Sequence, residues 1–280
     1  MDIEISGRAV RLYTGGRAFD PSLPPVVLIH GAGHDHSVWN LQCRYLAHHG
    51  HSAVAPDLPG HGRSAGPPLA SIEALAAWIV ELLDALKIET AVLVGHSMGS
   101  LIALQAAAES PQRISALVLA GSVAPMPVAE PLLEAAANRR EKAHAMINQW
   151  SYAPRSGIGR SAQPGTCLTI ANLRLMEHQE EGVLHTDLTA CNRYATGIEA
   201  ASRVRCPTLL IGAARDQMTP PKASAPLLEA LAQVPGGARR VVLPECGHAM
   251  MAEAPDGVTD ALARFLDEQK SLTEPPLMAG

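Results

Sequence analysis

Ser97 stands at the centre of Gly95-His96-Ser97-Met98-Gly99, directly after the apolar run Ala91-Val92-Leu93-Val94 and before a helix-forming run that ends near Ala108. Glycines on both sides leave room for a sharp turn. A serine at the tip of such a turn sits on strained backbone with its hydroxyl clear of the sheet. Backbone N–H groups at the start of the following helix, together with its dipole, can stabilise an oxyanion. A serine hydroxyl is a weak nucleophile at neutral pH and needs a base, and the base needs a third group to hold its tautomer and charge. Two later loops offer these groups: Asp216 follows the run Leu209-Leu210-Ile211, and His248 follows Leu243 in Pro244-Glu245-Cys246-Gly247-His248. Acyl transfer through a serine nucleophile is the chemistry open to this set. Glu245 and Asp57 are rival carboxylates for the third role, and the glycine-rich turn taken alone also suits any strand-to-helix junction.

These groups need a scaffold that brings three loops to one edge. Apolar runs alternate with helix-like segments, the pattern of a mostly parallel sheet with helices on both faces. Strands are expected at Ile3–Ile5, Val10–Tyr13, Val26–His30, Ser52–Ala55, Ala91–Val94, Ile114–Leu119, Thr208–Ile211 and Arg240–Leu243, the first two as an edge hairpin. Ser71–Ile88 reads as a helix with Ser71 as N-cap and an apolar stripe through Leu75, Ile79 and Leu82. A final helix is expected from about Pro255 to about Gln269, followed by a loosely ordered tail from Ser271 to Gly280.

The alternation stops between Ser122 and Val204. Helical stretches at Glu130–Trp150, Thr166–Glu180 and Leu184–Tyr194 appear there without a strand. An insertion of roughly 80 residues is too long for a crossover and too helical for a loop. The chain therefore divides into a core over residues 1–121 and 205–280 and a helical lid over residues 122–204, placed over the carboxyl edge where open α/β sheets bind ligands. Pro154, Gly157, Gly159 and Pro164 mark an irregular stretch within it where the lid could flex.

The chain has 280 residues, a net charge of −5 and 18% charged residues. It carries no basic stripe for nucleic acid and no apolar run long enough to span a membrane. Its first residues show no signal-peptide pattern. Five cysteines, Cys43, Cys167, Cys191, Cys206 and Cys246, lack paired spacing, which fits reduced thiols in a cytoplasmic protein. His34, His36, His48, His49 and His51 form a dense set without metal-ligand spacing; loop and helix-end histidines in solvent are the expectation, with no metal and no cofactor.

The motifs in order resemble those of α/β-hydrolase fold enzymes over nearly the whole chain. His30-Gly31-Ala32-Gly33 with Trp39 resembles the oxyanion loop, and Asp57-Leu58-Pro59-Gly60-His61-Gly62-Arg63-Ser64 the loop after the fourth strand. The serine turn, the Asp216 loop and the Gly247-His248 pair follow in register. The resemblance implies an eight-stranded α/β-hydrolase sheet with a helical cap after the sixth strand. It also implies a nucleophile at Ser97, a base at His248, an acid at Asp216 and backbone oxyanion donors at Ala32 and Met98. His30 would support the oxyanion loop, Trp39 would anchor it from beneath, and His96 would pack in the elbow. Asp57 would organise its own turn, and His61 would be a surface-turn residue.

Met126, Trp150, Tyr152 and Met218 fall near the lid junctions or beside the acid and are candidate substrate contacts. With aromatic residues only 3% of the chain, a pocket of aliphatic and methionine side chains suits a modest ester of a small carboxylic acid. An amide or C–C hydrolase with the same three residues is the alternative, with Arg139, Arg140, Arg155 or Arg174 as possible substrate cations. A binding or signalling protein of the same fold is a third reading. The lid or the sheet edge could serve a homodimer.

Overall fold

The computed structural model describes residues 1–156 and 165–273. Gly157, Gly159 and Pro164, and the tail from residue 274 onward, lie outside the described residues. All eight expected strands are present: β1 (Asp2–Ile5), β2 (Arg8–Tyr13), β3 (Pro25–Ile29), β4 (Ser52–Pro56), β5 (Ala91–His96), β6 (Ile114–Ala120), β7 (Thr208–Ala213) and β8 (Ala238–Leu243). They form one sheet in the order β1-β2-β4-β3-β5-β6-β7-β8. The β1–β2 and β2–β4 pairs are antiparallel and the remaining pairs parallel. This is the architecture of the α/β-hydrolase fold.

Apolar runs became strands because the central ones are covered on both faces. Every residue of β4 and β5 is buried, whereas β8, at the edge, exposes Arg239 to Val242. The chain leaves β3 outward to β4 and returns on its other side as β5. At such a reversal the loops after the two strands diverge and leave a crevice at their carboxyl ends. The loop after β3 carries Ala32 and the turn after β5 carries Ser97.

Helices cover both faces. One face is packed by α2 (Ile72–Ala85) and α3 (Met98–Glu109), the other by α1 (Asn40–His48). Ser71 caps α2 by accepting from Ala74 N at 3.2 Å. Ile72, Leu75, Ile79, Leu82 and Leu83 of α2 are fully buried, each worth about 1.5–3 kcal/mol. The helix ends before the expected Ile88 because Lys87 turns left-handed at φ 57°.

Between β6 and β7 come α4 (Glu130–Asn138), α5 (Arg140–Ser151), α6 (Leu168–Glu177), α7 (Val183–Arg193) and α8 (Gly197–Arg203). The segment expected as one helix over 130–150 is two, broken at Arg139 with φ −148°. The break lets α4 and α5 fold against each other around Leu132, Ala135, Ala143 and Ile147. The Arg140 side chain then reaches the carbonyls of Met176 and Glu177 and so caps α6. The short α8 lacks an extended apolar period and was not read from the sequence. The chain finishes with α9 (Ala225–Ala230), α10 (Met250–Glu253) and α11 (Pro255–Thr273), the last burying Val258, Leu262 and Phe265 against the α1 side of the sheet.

Candidate active site

Ser97 is the N-cap of α3 and sits at φ 53°, ψ −120°, a conformation that an L-residue holds only at a cost. The glycines around it are there for space. A Cβ on Gly95 would lie 2.1 Å from Gly99 O, and one on Gly99 would lie 2.4 Å from Ile29 O. The turn is therefore pressed against the end of β3. A Cβ on Gly31, in the β3 loop, would meet His96 Nδ1 at 3.2 Å and Ser97 Cβ at 3.3 Å. Ala32 is thereby carried past the serine.

Asp216 follows β7 and is buried. Its Oδ1 accepts from Met218 N and Thr219 N, both at 2.8 Å. Its Oδ2 accepts from Thr219 Oγ1 at 2.7 Å and faces His248 Nδ1 at 2.8 Å. Burial by itself would raise the carboxyl pKa. The His248 ring and the two hydrogen bonds from Thr219 outweigh it and hold the group well below the usual carboxylate range. Glu245 is exposed, and Asp57 spends its oxygens on the His36 and Arg63 main-chain N–H groups and the His36 ring. Of the three carboxylates, Asp216 is the one against His248.

His248 follows β8 and is 4% exposed. Its ring packs on that of His96 at 4.6 Å between centroids, and the His96 Nε2–H donates to the His248 carbonyl at 2.9 Å. Gly121 also lies against it, where a Cβ would come within 3.1 Å of His248 Cε1 and 3.4 Å of His96 Nε2. The α5 end also holds this loop, since Ser151 O accepts from Ala249 N at 3.0 Å.

Ser97 and His248 line one cavity of about 350 Å³, together with Ala32. Met126, Trp150 and Met218 also line it. Tyr152 does not; it lines a second cavity of about 380 Å³ with Leu168 and Met251. The two cavities share His34, His96, Ser151 and His248. No Asp, Glu, Lys or Arg among the described residues lines the first cavity.

The histidines depart from expectation most. His48 and His49 are exposed at a helix end, but His51 is buried, and burial pushes its pKa down to about 4. His61, expected on the surface, is 1% exposed and bonded to Asp187 of α7 at 2.8 Å. His34, expected in solvent, lines both cavities and reaches Asn172 Oδ1 at 2.8 Å. Asp187, Asn172 and Thr219 gave no local signal. His30 supports the β3 loop: its Nδ1 lies 2.9 Å from Gly31 O and its Nε2 accepts from Leu58 N at 3.1 Å. Trp39 is fully buried, edge-on to His96. Asp35, His36 and Asp57 bring their donor atoms within 4.8 Å of one another, a spacing that could hold a cation. Those oxygens are already engaged by loop N–H groups. The five cysteines are free thiols. Among the described residues, no helix is long and apolar enough to cross a membrane.

The model of the alpha/beta hydrolase family matches residues 26–261. A hydrolase of (E)-2-((N-methylformamido)methylene)succinate from Acinetobacter baylyi is 25% identical over 251 residues, 87% of this chain and 90% of that protein. An uncharacterised Mycobacterium tuberculosis protein is 38% identical over 113 residues, 40% of this chain and 33% of its own length. The first curated relatives are thus matched over only about a third of their length. Among solved structures, an enol-lactonase from Burkholderia xenovorans superposes with a TM-score of 0.82 at 23% identity, covering 95% of this chain and 100% of that one. A thermophilic esterase superposes with a TM-score of 0.79 at 26% identity, covering 96% and 97%. With the family's model spanning the chain from β3 into α11, over this sheet, the protein belongs to the α/β hydrolase family.

Proposed function

We propose that the protein is a serine hydrolase of small carboxylic esters. The observation that carries this is the Asp216 Oδ2–His248 Nδ1 contact at 2.8 Å in the wall of the cavity that holds Ser97 at the tip of its turn. Asp216 fixes the tautomer with the proton on Nδ1, which leaves Nε2 free as a base. Ser97 Oγ attacks the ester carbonyl carbon as His248 Nε2 takes its proton. The carbonyl oxygen becomes an oxyanion held by the main-chain N–H groups of Met98 and Ala32, each worth about 3 kcal/mol. Collapse breaks the bond to the alcohol oxygen, which receives the proton from His248. Water then gives a proton to His248 and its oxygen to the acyl carbon, and Ser97 recovers its proton as the acid leaves. The residues named supply every proton transfer.

The substrate is uncharged around the scissile bond, because a carboxylate or ammonium group in a cavity without charged side chains would lose its hydration without a partner. Met126, Trp150 and Met218 contact it there, and Tyr152 contacts the portion that extends into the second cavity. Helices α4 to α8 act as the lid. The esterase and lactonase similarities support ester cleavage, a lactone being an internal ester. The C–C reading draws on a substrate cation, but Arg139 pairs with Glu134, Arg174 with Glu177, and Arg140 caps α6; the Arg155 side chain lies outside the described residues. An epoxide hydrolase of Caballeronia sordidicola is 40% identical over 97 residues, yet that chemistry needs an aspartate where this chain has Ser97.

The test pairs wild type with Ser97→Ala on a series of p-nitrophenyl esters. Turnover by the wild type and its loss in a folded Ser97→Ala variant is the expected result. Undiminished turnover in the variant would sink the assignment. Saturable binding of esters without any turnover would favour the binding-protein reading.

A further inference from the structure

The peptide group that joins Ala32 to Gly33 is held at one end by α7 and at the other by His34, a neighbour in the same loop that α6 in turn contacts. Its N–H, on Gly33, donates to Asp187 Oδ2 of α7 at 2.8 Å, across 154 residues of sequence. Its oxygen, on Ala32, lies 2.7 Å from His34 Nδ1. Behind Asp187 stands His61, with Nε2 at 2.8 Å from the same Oδ2 and Nδ1 at 3.0 Å from Pro59 O. Behind His34 runs a chain of side-chain amides. Its Nε2 lies 2.8 Å from Asn172 Oδ1 on α6, Asn172 Nδ2 donates to Asn148 Oδ1 on α5 at 2.8 Å, and Asn148 Nδ2 donates to Thr169 O at 3.0 Å.

A glycine-containing loop ordinarily lets such a peptide rotate cheaply, and Gly33 already sits at φ +65°. Here rotation would turn a carbonyl oxygen toward a carboxylate and an N–H toward a donor-bearing ring, so both ends oppose it. Asp187 and His61 are each 1% exposed. Burying an ion pair is costly and seldom serves stability alone. The position served is that of Ala32: its own N–H, the proposed oxyanion donor, is in the adjoining peptide and turns on the same Cα.

We infer that Asp187, backed by His61, and the His34–Asn172–Asn148 chain are positioning residues that aim the Ala32 N–H at the reacting oxygen. The helices α5, α6 and α7 then complete the oxyanion site as well as cover it. The inference rests on the serine hydrolase reading and adds a role for residues remote from the reacting atoms.

The experiment measures phosphonylation by an alkyl fluorophosphonate, followed by intact mass, alongside kcat and KM on p-nitrophenyl butyrate. Ser97 Oγ bonds to phosphorus, fluoride leaves, His248 takes the serine proton, and the P=O oxygen occupies the oxyanion site. Wild type labels. Asp187→Asn, which keeps the shape but loses the charge, labels about tenfold to a hundredfold more slowly and loses kcat to match, with KM within about twofold. Folded Asp187→Asn that labels and turns over at the wild-type rate overturns the inference. If that variant does not fold, Asn172→Leu decides the same way, since it cuts the chain at the oxygen end without stranding a charge. Hydrogen exchange on the wild type needs no variant: a protected Gly33 amide is expected, and one that exchanges freely overturns the clamp. Wild type that fails to label, with Gly33 protected, strikes the hydrolase reading and leaves the clamp as structure only.

Discussion

His96 donates its Nε2–H to the main-chain oxygen of His248 at 2.9 Å, across 152 residues of sequence. Burial, and then the neighbouring His248 ring, pull the His96 pKa well below its ordinary value, so the ring is neutral and has one proton to give. The turn that presents Ser97 therefore also holds the loop that presents His248. His96→Ala removes this bond and the ring against which His248 packs. Its kcat is expected to fall about tenfold to a hundredfold, with a cooperative melt retained. Steady-state kinetics on a p-nitrophenyl ester check it, and unchanged kcat would mean that Asp216 alone is enough to place the ring.

Gly121 packs against both the His248 and the His96 rings. It sits at φ +57°, and a Cβ would lie 3.1 Å from Cε1 and 3.2 Å from Nδ1 of the ring. Gly121→Ala is expected to lose about 1–2 kcal/mol of stability from the left-handed conformation and to lose kcat by displacing His248. Urea melts and kcat measured together separate the two effects; a stability loss with full activity would mean the ring yields harmlessly.

Thr219 Oγ1 donates to Asp216 Oδ2 at 2.7 Å and lies 3.1 Å from His248 Nδ1. Thr219→Val keeps the shape and deletes the hydroxyl, at a cost of about 1–3 kcal/mol for the buried carboxylate left short of a donor. Asp216 has a depressed pKa, so its stabilisation is present above its unfolded value and is lost as pH falls through the folded one. With a lowering partner gone the folded pKa moves up toward the unfolded value of about 3.9, so the variant has less of this stabilisation to lose and the stability gap between the two proteins narrows as pH falls below about 4. Thermal melts between pH 2 and pH 6 read this narrowing directly.

His30 works as a neutral ring. Its Nε2 must accept from Leu58 N, and burial, then the neighbouring His61, lower its pKa to about 4. An unfolded histidine titrates near 6.5, so between these values the unfolded chain holds a proton that the folded chain does not. Stability then rises with pH in this window and is lost on acidification, by about 3 kcal/mol at pH 4. His30→Gln removes the titration and flattens the melting temperature against pH between 4 and 6.5. Parallel slopes for the two proteins would assign the acid sensitivity to other groups.

What could be read from the residue string alone was local. Runs such as Ala91-Val92-Leu93-Val94 had to become buried strands because nothing in them tolerates water, and the edge strands β1, β2 and β8, which carry charged residues, also lie where they were expected. Gly95 and Gly99 around Ser97 announced a sharp turn because no other residue fits the contacts their Cα atoms make. Asp216 and His248 were legible as loop residues just beyond strands, and their meeting followed from strand order. The remainder depended on which distant side chains arrive beside a given residue. His61 looks like any turn histidine until Asp187 of α7 comes to lie against it, 126 positions later. Arg140, just past the break, meets the carbonyls that end α6, and Tyr152, just past the end of α5, lines the second cavity. Periodicity and turn chemistry report a residue's preference for water and for a backbone angle. Hydrogen-bond partners across the fold are set by packing, and only the assembled tertiary structure decides them.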